Sequence, residues 1–189
     1  MEPVTELEIN LFANKLPSME EIETIISFVH SGESNQLAFG EQVKANLSRT
    51  GPKAIVPVGI GLYILGRYEE AAQKLRKAKN CREKYIYLAF ALRRIGKFDG
   101  AIESLQKSLG FEADTLSITL EKAATYRYAA NFAAAAKELK GCANFENVSA
   151  EYHYQLGRLE EFQGLYKEAM DNYKTAIELS PNHQKAFFH

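Results

Sequence analysis

The chain has 189 residues, 46% of them hydrophobic, with 23 Lys or Arg against 24 Asp or Glu and a formal net charge of -1. That much apolar content excludes a disordered chain and fits one domain or one continuous array. The near-neutral balance argues against a dedicated nucleic-acid binder, which carries a basic excess to displace counterions from phosphates, so no nucleic-acid partner is expected.

The acidic start, Met1 to Glu8, lacks the basic residues and apolar stretch of a signal peptide. Ser18-Met19-Glu20-Glu21 fits a capping box, with the serine capping a helix and Glu21 reaching back. Ile22, Ile25, Ile26 and Val29 then form a helical stripe. A second helix is predicted from about Asn35 to Ser48, with Leu37, Phe39, Val43 and Leu47 apolar, and Arg49-Thr50-Gly51-Pro52 stops it. Residues 1–51 thus read as an N-terminal helical cap or a degenerate repeat. The longest apolar run, Ala54 to Leu65, is broken by Pro57, Gly59 and Gly61 and falls short of the roughly 20 residues that span a bilayer. No membrane partner is expected, and the chain reads as cytoplasmic. Pro57 is tolerable only in the first turn of its helix.

From there one phrase recurs: small, any, aromatic, two mostly polar or small residues, alanine. It appears as Gly66-Arg67-Tyr68-Glu69-Glu70-Ala71, Gly96-Lys97-Phe98-Asp99-Gly100-Ala101, Ala130-Asn131-Phe132-Ala133-Ala134-Ala135 and Gly164-Leu165-Tyr166-Lys167-Glu168-Ala169. The closing alanines recur after 30, 34 and 34 residues. A small residue precedes each turn by about seven positions, as at Gly59 and Gly157, where it lets two helices approach closely. Offsets of four and seven, as in Ala71, Leu75 and Ala78, line one helical face. The short spacing implies a shortened connection near Asn80 to Glu83.

This period and pattern resemble the tetratricopeptide-repeat family. The resemblance implies an all-α, right-handed superhelical α-solenoid of stacked helix-turn-helix repeats at 52–81, 82–115, 116–149 and 150–183, with residues 184–189 as the start of a truncated further repeat. Lys122 and Glu160 fall where the family carries apolar residues; either they snorkel or the register slips locally, or, on a sharper reading, they form a charge pair between neighbouring units.

A search for chemistry yields little. Cys81 and Cys142 form no CxxC pair, and none of His30, His153, His183 and His189 has a second ligand at i+3 or i+4. His153 reads as a packed core residue. Gly59-Ile60-Gly61 lacks the rest of a phosphate loop, and no nucleophile motif is present. The expectation is a non-enzyme with no cofactor and no metal. The cations Lys74, Arg76, Lys77, Lys79, Arg82 and Lys84 read as a solvated stretch.

The resemblance implies that the first helix of each unit lines a concave face where partners dock. Its positions here are Val56, Ile60, Tyr63 and Ile64, then Ile86, Phe90, Arg93 and Arg94, then Leu120, Arg127 and Tyr128, then Tyr154, Arg158, Glu161 and Phe162. Of these, Tyr63, Phe90, Arg93, Arg94, Arg127, Tyr128, Tyr154, Arg158 and Phe162 are the candidate partner-binding residues, because arginine and aromatic side chains dominate binding hot spots. The clamp that holds chaperone C-termini is rejected, since Val56, Ile60 and Phe90 stand where it needs lysine and asparagine. The expected function is a protein-interaction scaffold for a protein or peptide with acidic and apolar groups. One alternative is a self-association scaffold. Another is the regulatory half of a larger protein, the layout being similar to N-terminal repeat regions of bacterial proteins with an RNA polymerase alpha C-terminal-like domain.

Overall fold

The structure, a computed structural model, describes residues 9–188; the acidic start at 1–8 and His189 lie outside the described residues. Among them there are helices and turns but no strand: α1 (Met19–His30), α2 (Glu33–Asn46), α3 (Ile55–Ile64), α4 (Tyr68–Lys77), α5 (Arg82–Arg94), α6 (Phe98–Ser108), α7 (Thr115–Tyr128), α8 (Phe132–Lys140), α9 (Ala150–Phe162), α10 (Tyr166–Leu179) and α11 (Gln184–Phe187). The chain divides into two compact units, one ending at Lys97 and the other beginning at Phe98.

In the first unit, α1 begins with the expected capping box. The Glu21 N–H donates to Ser18 Oγ at 3.2 Å, and the Ser18 N–H donates to the Glu21 carboxylate at 2.7 Å. The Ser18 N–H, and then the Ser18 hydroxyl, hold the Glu21 carboxyl below its ordinary pKa. Helix α3 is apolar on every side, and a helix of that kind must be covered all round. Close approach covers one side: a Cβ on Gly59 would lie 2.5 Å from Leu75 Cγ of α4. On another, a Cβ on Gly61 would meet Val43 at 2.8 Å and Phe12 at 3.3 Å. Pro57 sits in the first turn of α3, where no N–H is needed.

Residues 9–51 are fastened to these helices by polar contacts as well. Arg49 Nη1 donates to the Phe12 carbonyl at 3.0 Å, and Lys74 Nζ donates to the Leu47 carbonyl at 3.1 Å. The short repeat spacing has its origin in the connection from α4 to α5, only residues 78–81. Lys84 is buried beside it and donates to the Ala78 carbonyl at 2.9 Å and to Asn80 Oδ1 at 2.7 Å. Lys74 and Lys84 are therefore structural, which corrects the solvated reading for these two residues.

In the second unit, α7 and α8 enclose Leu120, Ala123, Ala135 and Leu139, joined by Tyr152 and Leu159 of α9. Helices α9 and α10 pack through Tyr154, Ala169, Tyr173 and Ala176. Gly157 permits this, since a Cβ there would lie 2.8 Å from the Tyr173 ring and 3.0 Å from the Ala169 carbonyl oxygen. At the turns, Gly66, Gly96 and Gly164 take φ of 75°, 73° and 78°, and Ala130, at the equivalent position of its phrase, takes φ 55°. Lys122 and Glu160 do not pair with each other. Lys122 bridges to Glu138 at 2.8 Å and Glu160 accepts from Asn172 Nδ2 at 2.8 Å, so each finds its partner on the second helix of its own hairpin.

Candidate functional site

In the first unit, α3 and α5 bring together the rings of Tyr63, Tyr87 and Phe90. Tyr63 lies 5.4 Å from Tyr87 and 6.0 Å from Phe90, and Tyr87 lies 5.6 Å from Phe90. Tyr68 of α4 completes the group, 5.6 Å from Tyr63. Tilted and edge-on contacts at these distances suit the ring quadrupoles. Tyr87 is fully buried, and burial pushes its phenol pKa up. The two arginines lie on the rings: Arg93 is 5.1 Å from the centroid of Phe90 and Arg94 is 5.1 Å from that of Tyr68. Arg94 Nη2 also donates to the Tyr68 hydroxyl at 3.1 Å.

The second unit carries a tighter arrangement. The Arg127 guanidinium lies 5.3 Å from the Tyr128 ring and 5.3 Å from the Phe162 ring. Arg158 approaches Phe162 at 5.6 Å, so Phe162 packs against two guanidinium groups. Arg127 is only 4% exposed and its Nη2 donates to Gln155 Oε1 at 3.1 Å. Gln155 Nε2 donates to Glu151 at 2.8 Å, and the other Glu151 oxygen lies 3.1 Å from His183 Nε2. Arg158 is ion-paired through Nε to Glu161 at 3.1 Å, and Tyr173 donates its hydroxyl to Glu161 at 2.8 Å. Burial, and then that bond to a carboxylate, push the Tyr173 phenol pKa up. Outward from this network stand two rings, Tyr128 at 47% and Phe162 at 46% exposure.

The structure therefore brings Tyr63, Phe90, Arg93 and Arg94 together in one unit and Arg127, Tyr128, Tyr154, Arg158 and Phe162 in the other. Arg127 and Tyr154 are buried, so they brace the surface rather than present it. Val56, Ile60, Ile64, Ile86 and Leu120, mapped to the concave face, are buried in the helical core. Tyr68, Tyr87, Gln155, Glu151 and Tyr173 were not among the candidates. Tyr68 was signalled by its place in the recurring phrase, and Glu151 with Gln155 by their i,i+4 spacing.

His153 is half-buried, with its ring nitrogens 2.7 Å from Asn172 Oδ1 and 2.7 Å from the Glu146 carbonyl, a packing role. Among the described residues, no three His, Cys, Asp or Glu side chains converge as metal ligands. No described helix is long and apolar enough to cross a membrane.

Residues 150–183, covering α9 and α10, match the tetratricopeptide repeat family model. Solved structures of similar fold include the Cut9–Hcn1 hetero-tetramer of the APC/C, at 17% identity and TM-score 0.65 over 87% of this chain and 32% of that one. This chain thus spans about a third of that protein's length. A thermophilic tetratricopeptide protein of Thermus thermophilus matches at 17% identity and TM-score 0.64, over 88% of this chain and 93% of that one. YrrB, a tetratricopeptide protein with an unusual peptide-binding site, matches at 15% identity and TM-score 0.56, over 89% of this chain and 88% of that one. These likenesses establish the fold as an all-helical solenoid of tetratricopeptide type. No curated protein matches the chain in sequence. Nothing in these findings supports the resemblance to proteins with an RNA polymerase alpha C-terminal-like domain.

Proposed function

We propose that the chain is a non-catalytic scaffold that binds a segment of another protein on the ring-bearing faces of its helical hairpins. The observation that carries this reading is the pair Tyr128 and Phe162, two rings nearly half exposed and held against a buried guanidinium. Exposed aromatic rings on a rigid support are the side chains that anchor interfaces at low entropic cost. The tetratricopeptide-type fold and the peptide-binding site named for YrrB support the same reading.

The arrangement also bears on the partner's chemistry. Arg158 is neutralised by Glu161, and Arg127 is buried against Gln155. In the second unit the contact surface is therefore aromatic, and an apolar anchor on the partner suits it better than an acidic one. An acidic group suits the first unit, where Arg94 is exposed beside Tyr68.

The test is selection from a displayed peptide library on the immobilised protein, followed by titration of the enriched peptides against wild type and Tyr128→Ser/Phe162→Ser. Loss of affinity of about tenfold or more in the variant is the expected result for a hot-spot pair. Equal affinity removes this face as the site. Arg127→Ala is a poor probe, because it strips a buried group from a hydrogen-bonded network and disturbs packing as well as binding.

A second reading, self-association, is favoured by the exposed Tyr166 and Met170 of α10 and by Phe187 and Phe188 at the C-terminal end. Light scattering separates the two, since self-association raises the mass without any partner.

A further inference from the structure

A cavity of about 440 Å³ opens in the first unit, away from the rings described above. It lies between the segment preceding α1, the start of α3 and the α4–α5 connection. Its volume falls within the roughly 300–1,000 Å³ typical of small-molecule sites. Leu16, Val56 and Pro57 give it an apolar wall.

Three cations, Arg49, Lys53 and Lys79, line the same cavity. Arg49 is already positioned, with Nη1 on the Phe12 carbonyl at 3.0 Å and the guanidinium 5.8 Å from the Phe12 ring. Neither Lys53 nor Lys79 has an ion-pair partner among the described residues. The one carboxylate in the lining, Glu83, is committed to Arg82 at 3.1 Å. Cations gathered around a concavity with a low-dielectric wall focus a positive potential into it. A bound anion relieves their mutual repulsion, and Glu83 on the same lining penalises a second negative charge.

We propose that this cavity binds a small organic monoanion: a carboxylate carried on a short apolar body. The acid would meet Arg49, Lys53 and Lys79, and the body would lie on Leu16, Val56 and Pro57. Two sources carry this chemistry, a free small-molecule acid and the free carboxyl end of a polypeptide.

Titration calorimetry of the whole chain distinguishes them, using octanoate, N-acetyl-alanyl-leucine, the amides of both, and inorganic phosphate. Both amides should bind at least about tenfold more weakly than their acids, the cost of losing charge-assisted hydrogen bonds. Preference for octanoate assigns the site to a free acid, and preference for the dipeptide assigns it to a chain end; either supports the proposal. The same loss should follow Lys53→Gln/Lys79→Gln, whose fold is checked by circular dichroism, and should not follow Lys167→Gln/Lys174→Gln in the second unit. Equal binding of acids and amides, tighter binding of phosphate than of either acid, or no heat from any acid up to about 5 mM would overturn it.

Discussion

Gly157→Ala places a single methyl group between α9 and α10, and its effect is set by two opposing quantities. In a helix interior, glycine is disfavoured relative to alanine by about 0.8–1.0 kcal/mol, so propensity alone predicts stabilisation. Against this, the new Cβ would lie 2.8 and 2.9 Å from two Tyr173 ring carbons and 3.0 Å from the Ala169 carbonyl oxygen. The ring cannot swing aside cheaply: Tyr173 is buried, its hydroxyl is bonded to Glu161 at 2.8 Å, and its ring lies tilted against that of Tyr154 at 6.2 Å. Nor can the carbonyl move without moving α10. Overpacking of this kind costs about 1–3 kcal/mol, which offsets the propensity gain and leaves a net loss of up to about 2 kcal/mol. In a chain of this size that lowers the thermal midpoint by up to about 8 °C, read by circular dichroism. Gly40→Ala is the matched control: Gly40 also lies inside a helix, α2, but a Cβ there meets nothing within 4 Å. It should raise the midpoint by a few degrees. If Gly157→Ala raised it equally, the close packing of α9 on α10 at this point would be refuted.

Three further substitutions test other parts of the structure. Ala130→Gly should raise the denaturant midpoint slightly: relief of the left-handed residue at φ 55°, about 1–2 kcal/mol, exceeds the roughly 0.4–1 kcal/mol of added unfolded-chain entropy. Lys84→Met should cost about 1–3 kcal/mol in the same assay, because the Ala78 carbonyl and Asn80 Oδ1 lose their buried donor. Glu160→Gln tests pH dependence. Burial raises the Glu160 pKa, with Glu168 and Asp171 adding to it and Asn172 and His153 opposing. The folded state therefore holds this proton more tightly than the unfolded one, and the associated stability is lost as pH rises through the folded pKa. The variant should melt higher than wild type near neutral pH and show no such gain at acid pH. A difference independent of pH would contradict the assignment.

Much of the fold was legible because its signals are local. The Ser18–Glu21 box, the turn phrase and the small residues at 59 and 157 each depend on neighbours within one helix or one hairpin. What was not legible depends on contacts from farther along the chain. Val56, Ile60 and Ile64 follow the family's groove positions, yet the segment carrying Phe12 and Val43 helps bury α3. Sequence alone gives no measure of that cover. Lys84 reads as one cation among six, and only the short turn beside it, with two oxygens to satisfy, draws it inside. Lys122 pairs with Glu138 on the second helix of its own hairpin, and Glu160 with Asn172 of its own, a choice between partners that residue type does not decide.

The arginines show most clearly why residue type alone does not fix partner chemistry. A guanidinium can grip a carboxylate or support a ring: Arg127 supports the Phe162 ring, and Arg158 does both, with Nε on Glu161 at 3.1 Å. The cavity lysines Lys53 and Lys79, with no ion-pair partner among the described residues, suit the first kind of contact. Salt separates the two. Exposed charges are screened over about 10 Å at 0.1 M ionic strength and about 3 Å at 1 M, whereas apolar ring contacts are not weakened by salt. A peptide held by Tyr128 and Phe162 should therefore keep its affinity between these ionic strengths, while octanoate in the first unit should lose most of its own. A peptide whose binding collapses in salt is held by charge, and the aromatic face would then be the wrong surface.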